Sequence, residues 1–134
     1  MKADGGAYVV PVTINNAIKL NFIVDSGSAD VSVPADVVLT LIRTGTIDHS
    51  DFLGNRTYQL ADGSSLPSPV FRIRSLRVGC MSVSNVTASV SPVRATPLLG
   101  QSFLGRFRSW SVDNKNHSLV LKEIKGTSYQ VKRN

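Results

Sequence analysis

The sequence predicts a mostly β fold, a small barrel or sandwich with one or two short helices. Three observations favour this class: the 134 residues are 42% hydrophobic, apolar residues alternate over short runs, and Gly, Pro and Asn separate those runs. We expect a single domain over residues 1–134, with its core at about 7–124. The tail at 125–134 either pairs as an edge strand or frays.

The first elements are predicted to be a β-hairpin, a strand and a helix. Apolar residues alternate over 7–24 on both sides of Asn15-Asn16, a pair typical of tight turns. A short strand over 31–33 follows. Pro34 then opens a helix whose apolar residues recur at helical spacing until Gly45.

A second hairpin is predicted in the middle of the chain. Strands over 57–60 and 65–78 flank Ala61-Asp62-Gly63-Ser64, which contains an Asp-Gly turn signal. Because proline cannot donate to a β-ladder, Pro67 and Pro69 predict that the returning strand begins as an unpaired edge.

The remaining elements are shorter. We expect an extended segment over 83–90, a loop bracketed by prolines over 92–97, and a short helix over 101–107, where apolar residues lie three to four apart. A closing hairpin over 110–121 completes the predicted fold.

The composition leaves little material for metal or cofactor chemistry. Cys80 is the single cysteine and the chain has only two histidines, so we expect no disulfide framework, no bound metal and no cofactor. No apolar run reaches the roughly 18–20 residues that a membrane helix needs, and residues 1–6 lack the apolar core of a signal peptide.

The positive charge is concentrated in the second part of the chain. Four basic and seven acidic residues precede Arg72, whereas eleven basic and two acidic residues lie from Arg72 onward. A nucleic-acid surface is one interpretation. We favour a solvated strand face and expect no nucleic-acid partner, because Arg72, Arg74 and Arg77 are interleaved with apolar residues.

One aspartate stands at the end of an apolar run, in Phe22-Ile23-Val24-Asp25-Ser26-Gly27. A charge in this position is costly to bury unless it is paired or used, which makes Asp25 the candidate catalytic residue. Gly27 permits a tight turn, and Ser26 and Ser28 place hydroxyls beside the carboxylate. The alternative is an ordinary turn aspartate.

The segment Val24–Pro34 resembles the active-site segment of aspartic proteases, in which Asp-Ser-Gly or Asp-Thr-Gly follows two apolar residues. Leu98-Leu99-Gly100 resembles the second signature of that family. Their separation, with the Asp62-Gly63 hairpin between them, is similar to the single-domain, retropepsin-like branch. The resemblance covers about 8–121 and suggests a bacterial member, which could follow an N-terminal membrane anchor; the compartment stays open.

The resemblance implies a closed β-barrel of the retropepsin type, with one lobe and one catalytic aspartate per chain. Two copies would then form a homodimer in which Asp25 faces its symmetry mate across a water molecule. The activity implied is that of an endopeptidase on polypeptides, with apolar side chains near the cut. The alternative is a non-catalytic peptide-binding or dimerisation module that keeps the fold.

The resemblance also assigns supporting roles. Ser26 would bond across the dimer axis, Gly27 would present its carbonyl to the peptide, and Gly100 would make room for the active-site loop. The hairpin tip would be a flap that closes on substrate. The substrate-binding candidates are Asp30, Ala61, Asp62, Gly63, Ser64 and Leu98.

Two positions depart from the viral pattern, which has aspartate two residues after the motif glycine and arginine after the later glycine. Here those positions are Ala29 and Gln101. Both members of a structural ion pair are therefore replaced together, and we expect a different packing there. The apolar terminal strands through which viral chains dimerise have no clear equivalent.

Overall fold

The computed structural model describes residues 7–59 and 62–133, except for the side chains of Tyr58 and Gln59. The described part is mostly β, as predicted. Its strands are β1 (Val9–Ile14), β2 (Ile18–Val24), β3 (Val31–Pro34), β4 (Phe52–Gln59), β5 (Ser65–Val78), β6 (Met81–Ser91), β7 (Leu98–Leu99), β8 (Ser109–Asp113), β9 (Ser118–Lys122) and β10 (Ser128–Lys132). Its helices are α1 (Ala35–Arg43) and α2 (Gln101–Leu104), and a 3₁₀ turn spans His49–Asp51.

Six strands close into a ring, which confirms the predicted barrel. Their order is β1-β2-β7-β3-β6-β5, and the end of β5 pairs back with β1, where Val12 faces Val78. The 14-residue strand β5 is long enough to serve two neighbours along one edge, β4 at its start and β1 at its end. The β4–β5 hairpin therefore extends from the ring.

The start of β5 differs from the prediction. Pro67 and Pro69 lie in register with Thr57 and Asn55 of β4, so this edge is paired. Within the described residues, the opposite edge gains its β6 partner only from Val70 onward. Since proline lacks only the N–H, one open edge is enough to accommodate both prolines.

Strand β4 begins earlier than the expected residue 57. It runs from Phe52 through a register irregularity between Phe52 and Gly54, where Gly54 adopts a φ of 120°. This left-handed backbone favours glycine, and a bulge interrupts the period-two pattern on which strand prediction depends. The polar residues that follow are exposed, so the sequence shows no alternation of apolar and polar residues from which this part of the strand could be predicted.

The barrel interior is filled by alternate residues of the ring strands. Val10, Val12 and Ile14 of β1 are fully buried, as are Phe71 and Ile73 of β5. Burial of each such side chain contributes about 1.5–3 kcal/mol. Helix α1 begins after Pro34 and packs Val38 and Leu41 on this core, while Ile42, another of the apolar residues at helical spacing, is 43% exposed.

The second helix is shorter than predicted. Apolar residues at 103, 104 and 107 are all buried, but α2 ends at Leu104 and Phe107 reaches the core from the following turn, with its ring 5.1 Å from that of Phe103. The chain leaves the helix there to join the last strands, and Arg108 N donates to Lys122 O of β9 at 2.8 Å.

The last three strands form a separate antiparallel sheet in the order β10-β9-β8. The C-terminal tail thus pairs as an edge strand, the first of the two expected outcomes. Tyr129 faces Leu121 across the ladder, and Val131 is buried in the common core. No helix in the described segments is long and apolar enough to cross a membrane.

The arginines of β5 lie on its outer face, as predicted, while Ile73 between them is buried. Arg72 Nη2 and Arg74 Nη2 lie 3.2 and 3.8 Å from the two carboxylate oxygens of Asp51, which is almost fully buried. Two of these arginines are therefore committed to an internal ion pair.

Candidate active site

The candidate loop, residues 25–30, begins where β2 ends. β2 runs parallel to the two-residue strand β7, with Ile23 opposite Leu98 and Val24 opposite Leu99. Asp25 N continues this pairing with a 3.1 Å bond to Leu99 O. The pairing with β7 thus fixes the position of Asp25 at the end of the sheet, where the residue is half-buried.

The carboxylate of Asp25 is oriented by its own turn. Gly27 N donates to Asp25 Oδ1 at 2.9 Å, and Ser28 N donates to Asp25 O at 3.2 Å. Ser26 and Gly27, at the tip of the turn, are both exposed. The loop therefore presents an oriented acid and two small residues on an accessible surface.

Gly100 lets α2 approach the loop at backbone contact. Gln101 N and Ser102 N, at the start of α2, donate to Ser28 O and Ala29 O at 2.8 and 2.9 Å. A Cβ on Gly100 would lie 2.2 Å from Asp30 O and 2.6 Å from Ser28 O. Both distances are far inside van der Waals contact, so only glycine fits here without displacing the loop.

Gln101 and Ser102 add side-chain bonds to the same contact. Gln101 Nε2 donates to Ser26 O at 3.0 Å. Ser102 Oγ accepts from Val31 N at 2.7 Å and donates to Thr87 O of β6 at 2.6 Å. The glutamine that replaces the family arginine therefore holds the loop through a neutral hydrogen bond instead of an ion pair.

Next to Ala29, the other position that departs from the viral pattern, Asp30 forms an ion pair with Arg56. Asp30 is buried, and Arg56 of β4 places Nε 2.8 Å from Asp30 Oδ2 and Nη2 3.4 Å from Oδ1. Oδ2 nevertheless has no aligned hydrogen bond from the described residues. Burial raises the pKa of Asp30, and Arg56, itself 46% exposed, lowers it by a smaller amount.

This balance predicts how stability changes with pH when Asp30 is neutralised. A raised pKa in the folded state means that Asp30 stabilises the fold when protonated, and this contribution is lost as pH rises through the folded pKa. We therefore expect Asp30→Asn to gain stability relative to wild type between pH 4 and pH 7, about 4 being the unperturbed value. Urea unfolding at several pH values measures the difference.

Asp113 provides a control of opposite sign. The side chain of Asn116 donates to it and lowers its pKa, so Asp113→Asn should lose stability relative to wild type as pH rises to about 4 from below, with no further change between pH 4 and pH 7. If Asp30→Asn instead loses stability as pH rises, the ion pair with Arg56 outweighs burial and our account of this pair is wrong.

The β4–β5 hairpin carries the candidate flap. In its turn, Asp62 Oδ1 accepts from Ser64 N at 2.9 Å and from the Ser64 hydroxyl, and these bonds lower the pKa of Asp62. Gly63 adopts a φ of 87°, which favours glycine. Ala61, also predicted to contact substrate, lies outside the described residues.

Leu98 is placed beside the loop, half-buried in β7 and in register with both Ile23 and Ser32. The Ser28 hydroxyl donates a hydrogen bond to Asp30 O at 2.7 Å. It therefore stabilises the loop and does not bond to the Asp25 carboxylate. Within 7–59 and 62–133, no three His, Cys, Asp or Glu side chains group together in a way that could hold a metal ion.

The sequence interpretation missed several residues of this site. Arg56 lies in a strand whose start was not predicted, and Ser102 carried no local signal because its bonds are to distant backbone. A cavity flanked by Ser32 and Ser89 was also missed. Its signal is present in Val31-Ser32-Val33, where a serine alternates with two core valines.

Comparison with known proteins identifies the class. A family model described as aspartyl protease matches residues 10–103. The chain therefore belongs to the aspartyl protease family, and the match includes both the Asp25 turn and Gly100. No curated protein matches the chain in sequence.

Solved structures define the branch of the fold. A retropepsin-like aspartic protease from Rickettsia conorii has a TM-score of 0.62 and 24% identity, covering 82% of this chain and 87% of its own. The retroviral protease-like domain of Ddi1 from Leishmania major has a TM-score of 0.61 and 20% identity, covering 96% of this chain and 94% of its own. The fold is retropepsin-like.

Proposed function

We propose that the protein is an aspartic endopeptidase whose active site forms between two copies of the chain. The observation that carries the proposal is the oriented, accessible Asp25 on a loop held by Gly100, in a chain of the aspartyl protease family. Asp30, the nearest acidic residue along the chain, is paired with Arg56. In the proposed site, the second reactive carboxylate is Asp25 of a second copy.

The exposed tip of the loop supports this arrangement. Ser26 and Gly27 offer little side-chain bulk, so two loops can approach about a two-fold axis with their aspartates adjacent. Two carboxylates at such a separation do not both carry charge easily, so the pair holds one proton.

In the proposed reaction, the charged Asp25 of one copy takes a proton from a water molecule while the water oxygen attacks the scissile carbonyl carbon. The protonated Asp25 of the other copy donates its proton to the carbonyl oxygen. The resulting diol then collapses: one of its hydroxyls returns a proton to the carboxylate that had donated one, the C–N bond breaks, and the amine leaves with the proton that the other carboxylate took from water. No acyl-enzyme is formed.

The β4–β5 hairpin would cover the substrate. Its arms are extended backbone, so an extended peptide can add to them through main-chain hydrogen bonds, and closure excludes water from the dyad. Asp62, Gly63 and Ser64 would form the closing tip. The fixed Asp62–Ser64 turn would allow the tip to move as a unit.

Activity should depend on protein concentration if the site forms between copies. We expect the specific activity on a mixed peptide library to rise with concentration and to level off where sedimentation shows a complete dimer. Because Ser26 offers one methyl fewer than threonine at the expected contact, we expect the dimer to be weak. Cleavage by a species that stays monomeric throughout would refute the proposal.

A further inference from the structure

The β4–β5 hairpin leaves the body of the molecule at one rung of its ladder. Arg56 of β4 and Ser68 of β5 lie directly opposite each other in register. Beyond this rung, Thr57 and residues 62–67 are all exposed, whereas Ser68 is buried. The Arg56–Ser68 rung is therefore the last point at which the hairpin contacts the barrel on its way to the tip.

Each side chain of the rung is bonded to a different part of the barrel. The Ser68 hydroxyl donates to Val90 O of β6 at 2.7 Å. Arg56 reaches the candidate loop, where its Nε lies 2.8 Å from Asp30 Oδ2 and its Nη2 lies 3.4 Å from Asp30 Oδ1. One side chain thus joins the hairpin to the sheet, and the other joins it to the loop that begins with Asp25.

Backbone pairing does not hold the hairpin to β6 at this rung. Pro67 and Pro69, on either side of Ser68, have no N–H to donate to another strand. Within the described residues, β6 pairs with β5 only from Val70 onward. The position of the hairpin over the barrel therefore depends on the side-chain bonds of the rung.

The structure also leaves space for the hairpin to move at its base. A cavity of about 390 Å³ lies between β4 and β6, with Gly54 and Arg56 on one side and Thr87 on the other. Gly54 lies at the register irregularity of β4 and has a φ of 120°. An irregular strand beside an open cavity resists bending less than a regular, packed ladder does.

Asp30 is a fixed partner for Arg56 because its own backbone is held on both sides. Asp30 O accepts from the Ser28 hydroxyl at 2.7 Å, and the next amide, Val31 N, donates to Ser102 Oγ at 2.7 Å. Asp30 is also buried. The ion pair therefore sets the position of β4 relative to the whole loop.

We propose that Arg56 is a positioning residue: through Asp30 it fixes the β4–β5 hairpin relative to the Asp25 loop, and the Arg56–Ser68 rung is the hinge about which the hairpin moves. A hairpin that is already held in place loses less conformational freedom when a peptide binds under it. Arg56 should therefore favour peptide binding more than the chemical step. The proposal rests on the proposed peptidase function, in which this hairpin covers the substrate.

Hydrogen exchange of the full chain at pH 7 tests the positioning role without any substrate. Arg56→Gln removes the charge, and we expect the backbone amides over 56–68 to exchange about fivefold faster than in wild type. Exchange in β9 should stay the same. Arg77→Gln, which neutralises an exposed arginine of β5, is the matched control and should leave the hairpin unchanged. Unchanged exchange in Arg56→Gln, or an equal increase in the hairpin and β9, would overturn the proposal.

A double-mutant cycle tests whether Arg56 acts through Asp30. Asp30→Asn should also speed exchange in the hairpin, and adding Arg56→Gln should have little further effect, because the ion pair is already lost. Asp30→Asn is expected to gain global stability relative to wild type between pH 4 and pH 7, so faster exchange in its hairpin would not reflect general unfolding. Additive effects of the two changes would contradict the assignment.

Peptide cleavage, measured where the dimer is complete, tests the link to function. Arg56→Gln should raise KM about fivefold and lower kcat by less than about twofold. Arg56→Lys should give an intermediate KM, since one ammonium group cannot reproduce both contacts of the guanidinium. A fall in kcat with KM unchanged would refute the binding role of Arg56. If the wild-type chain cleaves no peptide, the peptidase proposal fails, and hydrogen exchange still decides whether Arg56 positions the hairpin.

Discussion

Replacing Asp25 with asparagine should abolish peptide cleavage while leaving the fold intact. We expect the turnover rate to fall by roughly a thousandfold or more, since the variant can neither take a proton from water nor return one to the leaving amine. The fold should survive because asparagine retains the Oδ1 that accepts from Gly27 N. Cleavage of a mixed peptide library between pH 3 and 8 measures the loss.

Asp36→Asn is the matched control for this prediction. Asp36 lies exposed in the first turn of α1, so the same chemical change there should leave cleavage unchanged. Equal activity of the Asp25→Asn variant and wild type would refute the catalytic assignment. Binding without cleavage by both would favour the alternative of a non-catalytic peptide-binding module.

Replacing Gly100 with alanine should cause the largest loss of stability among glycine-to-alanine changes at the glycines that the structure describes. The added Cβ would meet backbone atoms of Asp30 and Ser28, which cannot rotate away as a side chain can. We expect the free energy of unfolding to fall by about 3 kcal/mol or more, a large share of the roughly 5–15 kcal/mol typical of a domain. Urea unfolding measures the change.

Gly126→Ala separates this clash from the general effect of substituting glycine. Gly126 has a φ of 93° and open space around its Cβ position, so alanine there meets backbone strain alone. A loss of about 1–2 kcal/mol is expected. If the two variants were equally stable, close backbone contact between α2 and the loop would not be what requires glycine at position 100.

Much of the barrel could be predicted because its strands follow simple rules. Alternating burial in β1 and β2, the Asn15-Asn16 turn and the Pro34 helix start are all local, and each is found where the sequence indicates. The position of Asp25 could be predicted for the same reason. An apolar strand followed by Asp-Ser-Gly is a local pattern.

The rest depends on contacts between distant residues. The bond from Arg56 to Asp30 joins positions 26 residues apart, and the Gln101 side chain reaches Ser26 across 75 residues. Neither contact has a periodic signal. The cavity flanked by Ser32 and Ser89 also could not be predicted, because serines on strand faces ordinarily indicate exposure to solvent, whereas these two residues are only 7% and 6% exposed.

The shared active site is tested most directly by mixing wild-type chain with the Asp25→Asn variant. At a fixed total concentration where dimers are complete, random exchange in an equal mixture leaves about a quarter of the dimers with two aspartates. We predict that activity falls to that fraction of the all-wild-type value. Activity that falls only to half, in proportion to the wild-type chain present, would mean that each copy works alone and would contradict the account.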